Sequence, residues 1–202
     1  MIDIFNKIKQ SIGILQHPEE AVWAAKNTLE HLGKFADIFV EFGSFTGGNF
    51  VFYATTIGDT EGLFIAVDPQ THGATFQSDL VAAAIPRGHV FISEDSISCS
   101  DSLLLTLGGC KIDVVHIDSV HLASHTEREW AILKPLMNSP SVVIVHDIKP
   151  GWRQSDYSGY LGQDIRQLST GDWFQRIKFD YSYMEKKVDG PHPDMGIGLL
   201  LL

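Results

Sequence analysis

The chain has 202 residues, with 15 Lys and Arg against 25 Asp and Glu, for a formal charge of −10. That length buries a core of several layers as one domain, and the acidic balance excludes a protein that grips nucleic acid through its overall field. Two cysteines, Cys99 and Cys110, are too few for a disulfide framework and form no C-x-x-C pair. They read as partly buried residues of a reducing, cytoplasmic setting. The N-terminal MIDIFNKIKQ lacks the apolar stretch of a secretory signal, and the terminal run Leu199–Leu202 is far too short for a bilayer. The expected partner is a small molecule, with neither nucleic acid nor membrane, and self-association stays open.

The first 34 residues read as a helical appendage to a core over 37–202. Ile2, Phe5, Ile8, Ile12 and Leu15 recur at helical spacing. Pro18 opens a second helix that ends at Gly33. From Asp37 the pattern becomes short apolar runs, Ile38–Phe42, Leu63–Val67, His89–Ile92, Ile112–Ile117 and Val142–Val145. Between them lie helix-length stretches, Gly48–Ile57, Thr75–Ile85, Ile97–Leu107 and Leu122–Met137. Continuous apolar strands alternating with helices predict a parallel sheet covered on both faces. A loop at Lys149–Tyr160, rich in Gly and aromatic residues, reads as a lid or a surface loop, and Gly162–Leu168 as a helix. Phe174–Tyr183 and Gly196–Leu202 then predict a closing antiparallel hairpin. The fold expected is α/β, a doubly wound, seven-stranded Rossmann-like sheet.

Ligands of such sheets sit beyond the C-terminal strand ends. There the chain places Asp68, Glu94 with Asp95, Asp118 and Asp147, while Glu41 lies inside the first strand. Singly, each acid reads as a helix N-cap. Together they cost repulsion unless a cation or a hydroxyl-rich ligand answers them. Gly43-Ser44-Phe45-Thr46-Gly47-Gly48 is a glycine turn between strand and helix. Its spacing is not the G-x-G-x-x-G of a nicotinamide fold, which disfavours an oxidoreductase. With Asp68 ending the next strand, it implies a nucleoside cofactor.

The stretch FVEFGSFTGGNFVFYA followed by AVDPQ resembles the cofactor half of class I S-adenosylmethionine-dependent methyltransferases. VVHIDSVHLASHTEREWAILKPLMNSPSVVIVHD resembles the cephalosporin hydroxylase-like and rhamnosyl O-methyltransferase-like family, with its strand-Asp-x-x-His, helix, strand-Asp order. The resemblance covers 37–150 by motif and 150–202 by layout. It implies that Glu41, Gly43, Ser44 and Gly47 pass under the methionine part of S-adenosylmethionine. Asn49 stands near the cofactor carboxylate, Asp68 takes the ribose hydroxyls, and Asp95 and Ser96 lie beside adenine. Glu94 stands where many relatives have a small residue. The implied reaction is methyl transfer to a hydroxyl of a small molecule, such as a sugar or secondary metabolite. A non-catalytic protein on the same fold is the alternative.

Asp118 and Asp147 end neighbouring strands and are the expected carboxylates of a Mg²⁺ or Mn²⁺ site; the resemblance implies a third ligand beside the second Asp, where this chain has His146 instead of an acid or amide. An imidazole there favours a transition metal over Mg²⁺. The same acids also read as groups satisfied by helix N-termini and water. The resemblance implies that His121, three residues after Asp118, is the catalytic base working with Asp118; by itself it reads equally as a helix-start histidine held by an acid. His116 reads as a core histidine. His125 shares a helical face with His121, and the two with Asp118 form an alternative ligand set. Glu127, Arg128 and Glu129 read as a solvated helix face, with Trp130, Leu133 and Leu136 toward the core.

Overall fold

The computed structural model describes residues 1–70, 75–85, 88–149, 168–187 and 196–202. Seven strands form one sheet: β1 (Ala36–Phe42), β2 (Gly58–Val67), β3 (His89–Ile92), β4 (Ile112–Ile117), β5 (Met137–His146), β6 (Ser182–Lys187) and β7 (Gly196–Leu201). Their order is β3-β2-β1-β4-β5-β7-β6. The first five are parallel, and β7 lies antiparallel between β5 and β6. The expected doubly wound sheet with a closing hairpin is thus present, and the last strand in sequence is an interior one.

Both faces of the sheet are buried. One face packs Phe39, Val114, Ile144 and Leu199 under α1 (Ile2–Ser11), α2 (Pro18–Leu32), α3 (Gly48–Ile57) and α4 (Ser78–Ala84). The other packs Val40, Val115, Val143 and Leu200 under α5 (Ser100–Leu107), α6 (Ala123–Leu133) and α7 (Thr170–Ile177). Alternation along each strand sends successive side chains to opposite faces, so a run apolar at every position suits an interior strand. Helices α1 and α2 join the first face, with Phe5, Ala21 and Ala24 wholly buried.

The register fixes where the chemistry lies. Phe42 pairs with Val67 and Ile117, Val67 with Ile92, and Ile117 with Val145. One row of apolar residues therefore ends all five parallel strands at the same level. The next residue on each strand is Gly43, Asp68, Ser93, Asp118 or His146.

Some boundaries differ from the sequence reading. β2 begins at Gly58 and β5 at Met137, earlier than their apolar cores suggest. α4 and α5 start later, at Ser78 and Ser100. The expected strand at Phe174–Tyr183 is corrected: Thr170–Ile177 is a helix, a 3-10 turn follows at Lys178–Asp180, and the strand is Ser182–Lys187. A capping box explains it. The Ser169 hydroxyl accepts from Asp172 N, and Asp172 Oδ2 accepts from Ser169 N at 2.8 Å. Trp173, Phe174 and Ile177 then pack as one helical face against the sheet. The expected helix at Gly162–Leu168 and most of the lid-like loop lie outside the described residues. Among the described residues no helix is long and apolar enough to cross a membrane.

Leu199 is wholly buried on interior strand β7. Leu199→Ala should lower the unfolding free energy by about 2–5 kcal/mol in urea denaturation. A loss under about 1 kcal/mol would contradict an interior position for this strand.

Candidate active site

The turn after β1 is built on two glycines. Gly43 has φ +89°, and a Cβ there would stand 2.2 Å from the Asp118 carbonyl oxygen. The missing side chain lets the turn run against the loop after β4. Gly43 N donates to Val67 O and Asp118 N to Phe42 O, both at 2.9 Å. Gly47, at φ +95°, caps α3 without a side-chain hydrogen bond. The first-turn amides of α3 thus have no side-chain cap, which leaves a helix N-terminus suited to an anionic group. Phe45, Gln70 and Asp147 take left-handed backbone angles, with φ of 47°, 56° and 56°. Three such non-glycine residues at one end of a sheet mark a functional edge. Asp68 braces this edge, with Oδ2 accepting from Phe45 N at 2.9 Å and Oδ1 from Gln70 N at 2.7 Å.

Beside the turn stands an acid–histidine cluster. One ligand atom from each of Asp118, His121 and Asp147 lies within 4.8 Å of the others, and all three residues are half-buried. His121 Nδ1 is 3.0 Å from Asp147 Oδ2. His146 stands behind the acids, its Nδ1 3.1 Å from Asp118 Oδ1 and 3.5 Å from Asp147 Oδ1. Asn49, on the first turn of α3, donates from Nδ2 to Asp118 Oδ2 at 3.3 Å. The expected residues Asn49, Asp118, His121, His146 and Asp147 are therefore brought together.

The charges answer one another. Burial pushes the Asp118 carboxyl up, but His146, His116 and His121 outweigh it and hold its pKa at about 2. Burial likewise opposes ionisation of Asp147, and His146 and His121 still hold it below the usual carboxylate range. Burial disfavours the His146 imidazolium, yet Asp147, Asp118 and Glu20 raise its pKa well above the ordinary value. His121 is raised too, its burial outweighed by Asp147 and Asp118.

Deeper, Glu41 faces inward. Its Oε1 is 2.7 Å from His116 Nδ1, and both side chains are wholly buried. Burial raises the Glu41 pKa against the opposing pull of His116. His116 is the core histidine expected, and the Tyr53 ring lies 4.9 Å from it. Tyr53 Oη donates to Gln16 Oε1 at 3.1 Å. Glu20, from the first turn of α2, is wholly buried with its Oε2 3.7 Å from His146 Nε2. Gln16 and Glu20 belong to the N-terminal helical region, and sequence reasoning missed both. Their signal was faint: Glu20 looks like an ordinary first-turn acid.

On the other face, Asp95 shapes its own loop by accepting from Ile97 N at 2.9 Å. Glu94 accepts from the Ser102 hydroxyl. Ser96 turns toward α6, where its hydroxyl donates to Glu129. Glu129 is corrected from a solvated position to a wholly buried one. Its helix packs that side on the sheet, and Ser96, Ser119 and His125 supply its hydrogen-bond partners. His125 thus serves Glu129 and Ser96, not a ligand set with His121.

The pair Asp118–His146 sets a pH dependence. Asp118 contributes stability that is full above the unfolded value of 3.8 and is lost as pH falls through about 2, about 2 kcal/mol in all. The raised His146 contributes stability that is full below 6.5 and is lost as pH rises through its folded value. Urea denaturation between pH 2 and 5 should show the acid-side loss in wild type and a flatter curve in Asp118→Asn. Superimposable curves would remove this ion pair from the account.

A family model described as a methyltransferase domain matches residues 40–148, more than half of the chain. Comparison with curated proteins found no sequence match. Among solved structures, the chain is similar to the O-methyltransferase TomG of Streptomyces achromogenes, involved in tomaymycin synthesis and solved with S-adenosylmethionine. The identity is 15% and the TM-score 0.64, covering 98% of this chain and 89% of that one. It is also similar to an O-methyltransferase of Bacillus cereus solved with S-adenosylhomocysteine, at 12% identity and a TM-score of 0.58, over 99% of this chain and 91% of that one. Likeness at these identities is one of fold. The family match itself runs from β1 through β5 and contains the glycine turn, Asp68, the Asp118–His121 loop and Asp147. The chain belongs to this methyltransferase-domain family.

Proposed function

We propose that the protein is an S-adenosylmethionine-dependent O-methyltransferase acting on a small hydroxylated molecule. The observation that carries this is the His121–Asp147 pair, set with Asp118 beside the glycine turn at one level of the sheet. The cofactor supplies an electrophilic methyl group on a sulfonium. The Gly43–Gly47 turn would hold its methionine part, with Ser44 and Glu41 supporting the turn from below. The N-terminus of α3, without a side-chain cap from Gly47, would receive its carboxylate. Asn49 Oδ1, buried beside that helix start, has no hydrogen-bond partner among the described residues and would accept from the cofactor's ammonium group. Asp68 already accepts two backbone amides, and a carboxylate has about four lone-pair sites, leaving room for two ribose hydroxyls. Asp95 and Ser96 carry the loop on the adenine side. Two free cysteines agree with a reducing cytoplasm.

Methyl transfer to oxygen requires the acceptor hydroxyl to lose its proton as the new bond forms. Asp147 is an acceptor, so His121 Nδ1 holds the hydrogen between them. His121 takes the acceptor proton, and Asp147 orients the ring and stabilises the imidazolium. Asp118 adds negative charge beside it, so the base is a stronger one than a free histidine.

A second reading rests on the clustering of Asp118, His121 and Asp147. Two carboxylates and one imidazole suit Mn²⁺ or a similar transition metal better than Mg²⁺. A cation held there would lower the pKa of an acceptor hydroxyl. His146, with Nδ1 on Asp118, would act as a further ligand or as support from behind.

Calorimetric titration should show S-adenosylmethionine binding, weakened in Asp68→Ala by about 1–3 kcal/mol. Turnover, read as S-adenosylhomocysteine release from a pool of hydroxylated small molecules, should rise with pH through a value above 6.5. Asp147→Asn should move that limb to lower pH, and His121→Ala should lower the rate by roughly 10²–10⁴-fold. A His121→Ala enzyme at wild-type rate sinks the base. Full turnover in EDTA sinks the cation.

A further inference from the structure

Glu129 does something unusual for a buried carboxylate. The loop carrying Ser96 follows β3, and the loop carrying Ser119 follows β4. In the sheet β3 and β4 are separated by β2 and β1, so the two loops begin about 14 Å apart at the usual strand spacing. Yet the Ser96 and Ser119 hydroxyls both donate to the same oxygen, Oε1 of Glu129. His125 Nε2 stands 3.2 Å from that oxygen and 2.9 Å from Ser96 Oγ.

Each tie reaches a part of the site. Asp95 and Ser96 form a loop fixed within itself by Ile97 N to Asp95 Oδ1 and by Cys99 Sγ to Ser96 O. Ser119 follows Asp118, whose carbonyl oxygen lies against Gly43, and precedes His121. Glu129 is wholly buried, and its Oε2 has no hydrogen-bond partner among the described residues. A buried carboxylate with one orphaned oxygen is costly as a stabilising device. Its position fits a clasp across the cofactor cleft.

We propose that Glu129 is a positioning residue that clasps the loop after β3 to the loop after β4. Occupation of the adenine side by the cofactor thereby orders the segment that carries Asp118 and His121. The proposal rests on the cofactor reading above and not on the base or the cation.

Hydrogen exchange of the full chain, with and without S-adenosylhomocysteine, tests it without an acceptor. In wild type the ligand should slow exchange about tenfold or more over 43–48, 94–98 and 118–123. In Ser119→Ala and Glu129→Gln, protection over 43–48 and 94–98 should persist while that over 118–123 falls to within about twofold of the unliganded protein. Ser119→Thr keeps the hydroxyl and should restore it. Ser119→Ala perturbs only a half-buried loop residue, so it decides the matter even if Glu129→Gln does not fold. Wild-type protection over 118–123 in Ser119→Ala overturns the clasp, as does an equal loss over all three segments. An unprotected 43–48 in wild type overturns the cofactor reading and the clasp with it.

Discussion

The cleft depends on an atom that is absent. A side chain at Gly43 would meet the Asp118 carbonyl at 2.2 Å, so only glycine lets the turn after β1 lie against the loop after β4. Everything at the strand ends follows from that contact. It brings the uncapped start of α3 beside Asp118, lets Asn49 reach that acid, and sets the glycine turn next to His121. The row of apolar pairs ending at Phe42, Val67, Ile92, Ile117 and Val145 supplies the level floor beneath. Gly48 repeats the device on the other side, where a Cβ would meet the Gly13 carbonyl at 1.8 Å. The N-terminal helices are thereby seated on the same turn.

Once the acids are gathered, their charges must be met, and here histidine meets them. Glu41 has His116, Asp118 has His146, Asp147 has His121 and Glu129 has His125. Lysine or arginine in these places would be a fixed charge near neutral pH. His146 and His121, both raised by the acids beside them, make the charge balance around Asp118 and Asp147 depend on pH. The pairs also divide by depth. Glu41–His116 is sealed under α3, while His121–Asp147 is half open to the cleft. That division separates a pair shut off from solvent from a pair that solvent reaches.

Much of this was legible in the chain. Continuous runs such as Ile112–Ile117 announce interior parallel strands, and the glycine run after β1 announces the tight turn found there, at the level of Asp68. The pairing of Asp118 with Asp147 followed from their both ending strands. What escaped depends on tertiary packing. Glu129 sits in an ordinary charged helical run, and only the tilt of α6 onto the sheet buries it. Glu20 and Gln16 enter from helices that no motif links to the site. Phe174–Tyr183 reads as a strand-like run in the chain, whereas the Ser169–Asp172 capping box commits Thr170–Ile177 to a helix. The contact of His146 Nδ1 with Asp118 is likewise a product of the fold, since adjacency to Asp147 in the chain says nothing of which acid the ring faces.

The most direct measurement is a crystal structure of the protein with S-adenosylhomocysteine and Mn²⁺. The account predicts the cofactor sulfur above the Gly43–Gly47 turn, the ribose hydroxyls on Asp68, and His121 with Asp118 facing the position left by the methyl group. A cofactor bound elsewhere, or one whose sulfur faces away from Asp118 and His121, would contradict it.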